Sequence, residues 1–391
     1  MPLASLKLTC FRGYESASVD LGPGLTLFVG DNAQGKTNLL RAAEVLGLGA
    51  APEAAAGDLV RWGAAAGSIE GRIATDEDVA PVRLVVGLAR GGLRLALNGK
   101  MAPRPRWIGL CPVLFVGPED RDQVTGPPSA RRALLDELLE QGEPRYLAAL
   151  REYRRALRQR NRALGDQESQ DGEIEIWEEP MARAGGVLLA HRVRALDQLG
   201  PRAAAWHREL AGGDADRGLG LAYQSGVAAP AGSGAEAWGA ALADALAAGR
   251  LRDRAVGTTL TGPHRDEVAI ALAGHPLKGS GSSGEIWTAI LALALASAEA
   301  LSSRLGRLPV LLLDDVLAAL DRTRCDRLLG IAASLPQVLL TATTVSGAAG
   351  AAPAAATWTV RNHALERLGT GRERDDGWRS DTDVRELLAR C

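Results

Sequence analysis

The stretch Gly30-Asp31-Asn32-Ala33-Gln34-Gly35-Lys36-Thr37 has the spacing G-x-x-x-x-G-K-[ST]. That spacing suits one task, the holding of a polyphosphate. Glycines at 30 and 35 let the backbone curl so that its N–H groups converge on phosphate oxygens. Lys36 adds a point charge at the β and γ phosphates, and Thr37, with Asn38 after it, opens a helix and offers a hydroxyl to Mg²⁺. A second set of acids stands far along the chain, where Val310-Leu311-Leu312-Leu313 ends in Asp314-Asp315. One acid at the end of a buried strand beside a phosphate loop can hold the metal, and the next can orient the attacking water. The expected roles are therefore Asp314 for Mg²⁺ and Asp315, with Lys36, for hydrolysis of ATP. Many such sites carry the longer Glu at the second position, so Asp315 predicts slow, switch-like hydrolysis.

A third group is Gly281-Ser282-Ser283-Gly284-Glu285, just before a long apolar run. A Ser hydroxyl, the N–H groups of a Gly-containing turn and a helix N-terminus make an anion site. The form is that of the S-x-G-[QE] signature of ABC-type ATPases, in which Ser282 and Gly284 would meet the γ-phosphate held by a second subunit. A Ser/Gly turn capping a helix explains the pentapeptide equally well. Ala318-Ala319-Leu320-Asp321 resembles the loop that crosses the dimer interface in these enzymes, with Asp321 coupling the two sites. Thr341 and Thr343 stand where a His often senses the γ-phosphate, and Arg12 is expected near the nucleotide. His264, between Pro263 and Arg265, reads either as a phosphate-facing group or as a histidine held by its neighbours.

Positioning these residues requires a sheet and a helix. Leu25 to Val29 reads as a buried strand before the loop and Asn38 to Leu46 as the helix after it, with Leu39, Leu40, Ala43 and Leu46 at core spacing. Leu6, Leu8 and Cys10 alternate with Lys7 and Thr9 as a half-buried first strand. Further strands are expected near 68–74, 82–88 and 93–97, with tight turns at Gly91-Gly92 and Asn98-Gly99. Ser129 is the expected N-cap of a helix running to Glu140. From Pro144 to Leu164 the apolar residues Tyr146, Leu150, Tyr153, Leu157 and Leu164 share one face. Arg151, Arg154, Arg155, Arg158, Arg160 and Arg162 fill much of the rest, a face able to follow a phosphate backbone or simply to be solvated. A second helical stretch is expected from Trp177 to Leu210 with an interruption at Gly200-Pro201, and a strand at Thr258–Thr261. The fold class is α/β: a P-loop ABC-type ATPase core with an antiparallel β annex and a helical insertion lobe. The divisions expected are an ATPase lobe over 1–127, a helical insertion over 128–250, the second ATPase half over 251–368 and a polar tail over 369–391.

Bulk composition narrows the class. With 391 residues and 46% hydrophobic content the chain builds a sizeable core, and a formal net charge of −2 excludes a globally basic nucleic-acid binder. Any DNA contact must come from local Arg clusters. Cys10, Cys111, Cys325 and Cys391 form no C-x-x-C, which fits a reducing cytoplasm without a zinc site or disulfide framework. No secretory signal is expected at the start, since Lys7 and Arg12 interrupt any apolar region. The apolar run 289–298 is short for a membrane span and reads as a buried helix.

Taken together these motifs resemble the RecF family, bacterial recombination-repair ATPases related to the SMC proteins. The likeness rests on Phe11-Arg12-Gly13-Tyr14, Gly35-Lys36-Thr37-Asn38, Pro118-Glu119-Asp120 with Gly126-Pro127 and Arg131-Arg132, Gly262-Pro263-His264-Arg265-Asp266, and Leu312-Leu313-Asp314-Asp315-Val316 with Leu320-Asp321. It covers the chain to about residue 345. The resemblance implies a weak, DNA-stimulated ATPase that forms a homodimer on binding ATP. It also implies a preference for gapped or single-strand/double-strand junction DNA, and work with RecR and RecO in placing RecA. The chain departs from the family pattern at Gly47 to Pro52, at Gln123, at Glu285-Ile286-Trp287-Thr288 and at Ala319.

Other readings differ at defined points. An SMC-like tether needs long coiled coils and often a C-x-x-C hook, and a transporter's nucleotide subunit would carry Gln after Phe115 and His after Leu340. A degenerate ATP-binding protein that dimerises with little hydrolysis stays open, because of the departures near the signature.

Overall fold

Leu25, Thr26, Leu27, Phe28 and Val29 are all buried, with no polar alternation. A strand covered on both faces reads this way, and parallel sheets require such cover. In the computed structural model this strand lies inside a mixed six-stranded sheet. The structure describes residues 3–51, 54–74, 80–166, 168–213, 218–230, 232–343 and 356–368; the polar tail expected over 369–391 lies outside them.

In chain order the elements are β1 (Leu3–Phe11), β2 (Tyr14–Asp20), β3 (Gly24–Val29), α1 (Lys36–Leu48), β4 (Ala66–Ile73), β5 (Val82–Ala89), β6 (Gly92–Leu97), β7 (Lys100–Met101), α2 (Arg104–Trp107) and β8 (Val113–Val116). Then come α3 (Asp122–Thr125), α4 (Pro128–Gly142), α5 (Pro144–Gly165), α6 (Asp171–Ala211), β9 (Leu219–Gln224), α7 (Ala235–Val256), β10 (Glu267–Leu272), β11 (His275–Pro276) and α8 (Ser283–Leu305). β12 (Val310–Leu313), α9 (Arg322–Ser334), β13 (Gln337–Ala342), β14 (Ala356–Arg361) and β15 (Ala364–Leu368) follow.

Two compact units result. The first comprises Met1–Glu119, Glu209–Gly212 and Ser297–Cys391; the second comprises Asp120–Arg208 and Gly213–Ala296. In the first unit the sheet order β15-β14-β3-β13-β12-β8 is parallel except for the antiparallel edge pair β14 and β15. An antiparallel sheet, β2-β1-β4-β5-β6-β7, accompanies it. Leu39, Leu40, Ala43 and Leu46 of α1 are buried in a cluster with Leu6, Leu8, Ile69 and Val86 of the antiparallel sheet and Val113, Leu312 and Leu339 of the parallel one. Each such leucine contributes about 2 kcal/mol of burial, so α1 is fixed from both sides. Gln337 joins the two sheets: its amide accepts from Leu3 N–H at 2.8 Å and donates to Leu3 O at 2.8 Å and to Gly22 O at 3.0 Å. The Asn98-Gly99 turn has both residues at positive φ, 50° and 79°, as the dipeptide signals.

The second unit holds α4 to α7, the start of α8 and the antiparallel sheet β11-β10-β9. Tyr146, Leu150 and Tyr153 of α5 pack with Met181, Leu188 and Leu189 of α6 and Leu242 and Leu246 of α7.

Several local expectations change. Cys10 is not the next inward residue of β1; it adopts φ 47°, and Phe11 takes the buried place. Pro127, not Ser129, occupies the N-cap of α4, with Pro128 at the first helical position, where a missing N–H costs nothing. α6 runs unbroken through Pro201, since burial of Leu196, Leu199 and Ala203 outweighs one absent hydrogen bond. Arg160 does not join the solvated face of α5. It is fully buried, donating to Asp253 Oδ2 at 2.7 Å, Thr259 Oγ1 at 2.8 Å and Glu178 Oε1 at 2.9 Å. Thr258–Thr261 forms no strand: Thr259 N–H donates to Asn161 Oδ1 and Leu260 N–H to Asp253 Oδ1, so side chains take the bonds a ladder would supply. The strand comes later, as β10. Finally, α8 is long and apolar enough to cross a membrane, and 83% of its apolar window is buried in the fold, which makes it a core helix.

Candidate nucleotide-binding site

Strand β3 delivers the loop 30–35 to the N-terminus of α1. Ala33 at φ 64° and Gly35 at φ 110° put left-handed turns into the loop, the kind of backbone that can gather N–H groups around an anion. No side chain caps α1, which leaves its first-turn N–H groups to an anion. Glycine at 30 is a matter of space, because a Cβ there would stand 2.2 Å from Val360 O on β14. Lys36 Nζ donates to Gly30 O at 2.5 Å and Asp31 O at 2.7 Å. Burial lowers its pKa, while Asp315, Asp314 and Asp31 act the other way. Asn32 is exposed. Arg12, itself at φ 45°, donates from Nη1 to Asn38 Oδ1 at 3.0 Å, beside the same helix end.

β12 lies one strand from β3 and brings its acids to the loop. Thr37 Oγ1 donates to Asp314 Oδ2 at 2.7 Å, and Thr341 Oγ1 donates to Asp314 Oδ1 at 2.7 Å. Thr341 Oγ1 also accepts the Asp315 N–H at 2.8 Å. Asp315 sits in the left-handed region at φ 51°, a conformation that needs such support. Its carboxyl is held above the ordinary range by burial and by Asp314, with Lys36 opposing. Thr341, standing where a His often senses the γ-phosphate, is fully buried and ties the two acids together. Glu119 is held through its carboxylate by the buried Arg41 of α1, whose guanidinium lies 3.5 Å from the Phe115 ring centroid.

The remaining expected residues lie as follows. Asp321 caps α9, accepting from Arg324 N at 2.9 Å and Arg324 Nη1 at 2.9 Å. Ser282 and Gly284 belong to the second unit. There Ser282 N–H and Oγ–H both donate to Glu285 Oε2, at 2.9 and 2.8 Å, and Glu285 N–H returns to Ser282 Oγ at 3.3 Å, a capping box on α8. His264 is the structural alternative: it bonds Tyr153 OH at 2.6 Å and Thr259 O at 3.1 Å, and burial lowers its pKa to about 4. Sequence reasoning missed the β14–β15 turn, which touches the loop 30–35. Asn362 N–H donates to Gln34 Oε1 at 2.6 Å and His363 N–H to Gln34 O at 3.1 Å. The signal was the Asn362-His363 pair between two alternating runs.

No family model matches the chain. Curated proteins do. A protein named DNA replication and repair protein RecF from Frankia alni is 40% identical over 357 residues, covering 88% of this chain and 93% of its own. One of the same name from Moorella thermoacetica is 36% identical over 377 residues, covering 95% and 96%. This chain belongs to the RecF family. Among solved structures, RecF with ATP, described as a recombination mediator in the RecFOR pathway, superposes with a TM-score of 0.84 at 24% identity over 94% of this chain and 98% of that one. An SMC head bound to the C-terminal winged-helix domain of ScpA gives 0.54 at 15% identity over 94% and 97%. At these identities the likeness carries the fold, which is the ABC-type ATPase fold of RecF and SMC heads.

Proposed function

We propose that the chain is an ATP-dependent DNA-binding switch of recombinational repair, a slow ATPase whose ATP-bound homodimer engages gapped or junction DNA with RecR and RecO in the cytoplasm. The observation that carries this reading is the Thr37, Asp314, Thr341 and Asp315 constellation beside the uncapped N-terminus of α1. ATP would lie on the loop 30–38, with Lys36 released from the Gly30 and Asp31 carbonyls to the phosphates. Thr37 Oγ1 and Asp314 are hard oxygen donors that suit Mg²⁺. When bound there, that ion supplies charge neutralisation at the phosphate oxygens. Asp315, its carboxyl raised in pKa, orients the attacking water and accepts its proton. Ser282, Gly284 and Asp321 would act across the dimer, and Arg12 near the nucleotide.

DNA contact falls to α5. Arg151, Arg155, Arg158 and Arg162 are exposed at i, i+4, i+7 and i+11 and make no ion pair among the described residues. A stripe about 16 Å long can follow a phosphate backbone. The relatives' names, DNA replication and repair protein RecF, support the same reading.

Lys36→Ala tests the site: ATP binding followed by titration calorimetry should fall at least about 100-fold, and unchanged affinity would refute the loop assignment. A second reading, ATP-dependent association with little hydrolysis, is favoured by one observation, the capping box that engages the Ser282 hydroxyl. Single-turnover hydrolysis separates the two, and sedimentation with and without an ATP analogue tests the dimer on which both depend.

A further inference from the structure

We infer that the β14–β15 hairpin and Tyr14 form a clamp that aims the N–H groups of the phosphate loop, making Tyr14 and His363 positioning residues for the nucleotide. The inference rests on the nucleotide reading of residues 30–37 given above.

In a trans peptide the C=O and the following N–H point in opposite directions. A donor that holds the carbonyl of Gln34 therefore sets the direction of the Gly35 N–H, and one that holds the carbonyl of Gly35 sets that of Lys36. Both carbonyls are held from outside the loop. His363 N–H donates to Gln34 O at 3.1 Å, and Tyr14 Oη–H donates to Gly35 O at 3.0 Å, alongside the helical bond from Leu39 N–H. Asn362 N–H adds a bond to Gln34 Oε1 at 2.6 Å. The N–H groups of Gly35 and Lys36 are thereby turned away from the clamp.

The clamp is itself rigid. Asn362 and His363 both sit at positive φ, 48° and 63°, the pattern of a tight two-residue hairpin, and β14 runs parallel to β3 from Ala356 opposite Thr26 to Thr359 opposite Val29. The His363 ring meets Tyr14 edge-on with centroids 5.2 Å apart. It closes the space around both nearby glycines: a Cβ on Gly13 would come within 2.0 Å of its Nε2, and one on Gly35 within 2.7 Å of its Cδ2. Burial raises the Tyr14 phenol, so it remains a donor throughout the working pH range. Gly35 is thus confined by the clamp as well as by its own φ.

The test uses the full chain and compares Tyr14→Phe, which removes only the hydroxyl, with His363→Gly, which keeps the turn and its N–H but removes the ring. Amide hydrogen exchange of peptides covering 30–38, without nucleotide, should quicken in both variants. ADP and ATP should bind about three- to tenfold more weakly to Tyr14→Phe, whereas AMP, with no β-phosphate, should change by less than about twofold. A general loss of structure would weaken all three alike. Wild-type exchange over 30–38 in both variants, with wild-type ADP affinity, would overturn the clamp. Lys36→Ala serves as the parallel control: if it too binds ADP normally, the nucleotide reading itself fails, while the exchange measurement still judges the clamp.

Discussion

Thr341 Oγ1–H donates a hydrogen bond to Asp314 Oδ1 at 2.7 Å and its oxygen accepts one from the Asp315 N–H at 2.8 Å, so one buried hydroxyl on β13 fixes both acids at the end of β12. The parallel pairing that sets Leu313 opposite Leu340 makes the bridge possible. Thr341→Val keeps the shape and removes the hydroxyl, leaving Asp315 in its left-handed conformation without an acceptor. Hydrolysis should fall about 10- to 100-fold, as for other groups that orient acids at a site, with ATP affinity changing less than about threefold. Equal losses in binding and turnover would show that the threonine supports the loop rather than the acids.

Asp315 is expected to set the acid limb of hydrolysis. Its pKa is raised above the ordinary 3.8 by burial and Asp314, so the ionised, proton-accepting form is lost as pH falls through that raised value. The single-turnover rate should therefore decline at acid pH, as that carboxylate takes up a proton. Asp315→Asn should abolish that limb along with hydrolysis while ATP still binds. An acid limb retained in Asp315→Asn, with measurable turnover, would assign the base elsewhere.

The placement of the loop and the acids was legible because each depends on a short, contiguous spacing at the end of a buried strand. What stayed hidden depends on partners distant in sequence. Arg160 looks like one more arginine of a wetted face until Asp253, 93 positions away, and Glu178 are seen to surround it. The threonines at 258–261 have strand propensity, yet Asn161 and Asp253 capture their neighbourhood's N–H groups. Thr341, near the end of β13, stands where a His often senses the γ-phosphate, and only the inter-strand register reveals which acids it touches. The His363 contact to residues 13, 14 and 35 likewise follows from a parallel pairing of β14 with β3 that no local pattern encodes.

His264 gives stability a pH dependence with a definite sign. Folded, its pKa is about 4 against an ordinary 6.5, because burial between Tyr153 and Thr259 disfavours the imidazolium. Below 6.5 the unfolded chain binds the extra proton, so stability is full above that value and is lost as pH falls toward 4. Between pH 7 and 5 the loss from this group amounts to about 2 kcal/mol. His264→Gln should be less stable at pH 7 and should flatten the curve over that window, as measured by urea unfolding at each pH. An unaltered pH slope would place the titration on another group.

The stripe on α5 makes the DNA proposal quantitative. Arg151, Arg155, Arg158 and Arg162 share one exposed face, while Tyr146, Leu150, Tyr153 and Leu164 on the other are buried, so replacing the four arginines leaves the core of that helix intact. Each phosphate neutralised releases counterions and adds about 0.9 to the slope of log affinity against log salt on duplex DNA. The fourfold Arg→Gln variant should therefore bind more weakly and lose about three to four from that slope, with ATP affinity unchanged. Partial engagement would appear as a smaller decrement, read arginine by arginine from the single variants. A slope equal to wild type in the fourfold variant would remove α5 from the DNA path, because a helix that touches phosphates cannot shed four charges without releasing fewer ions.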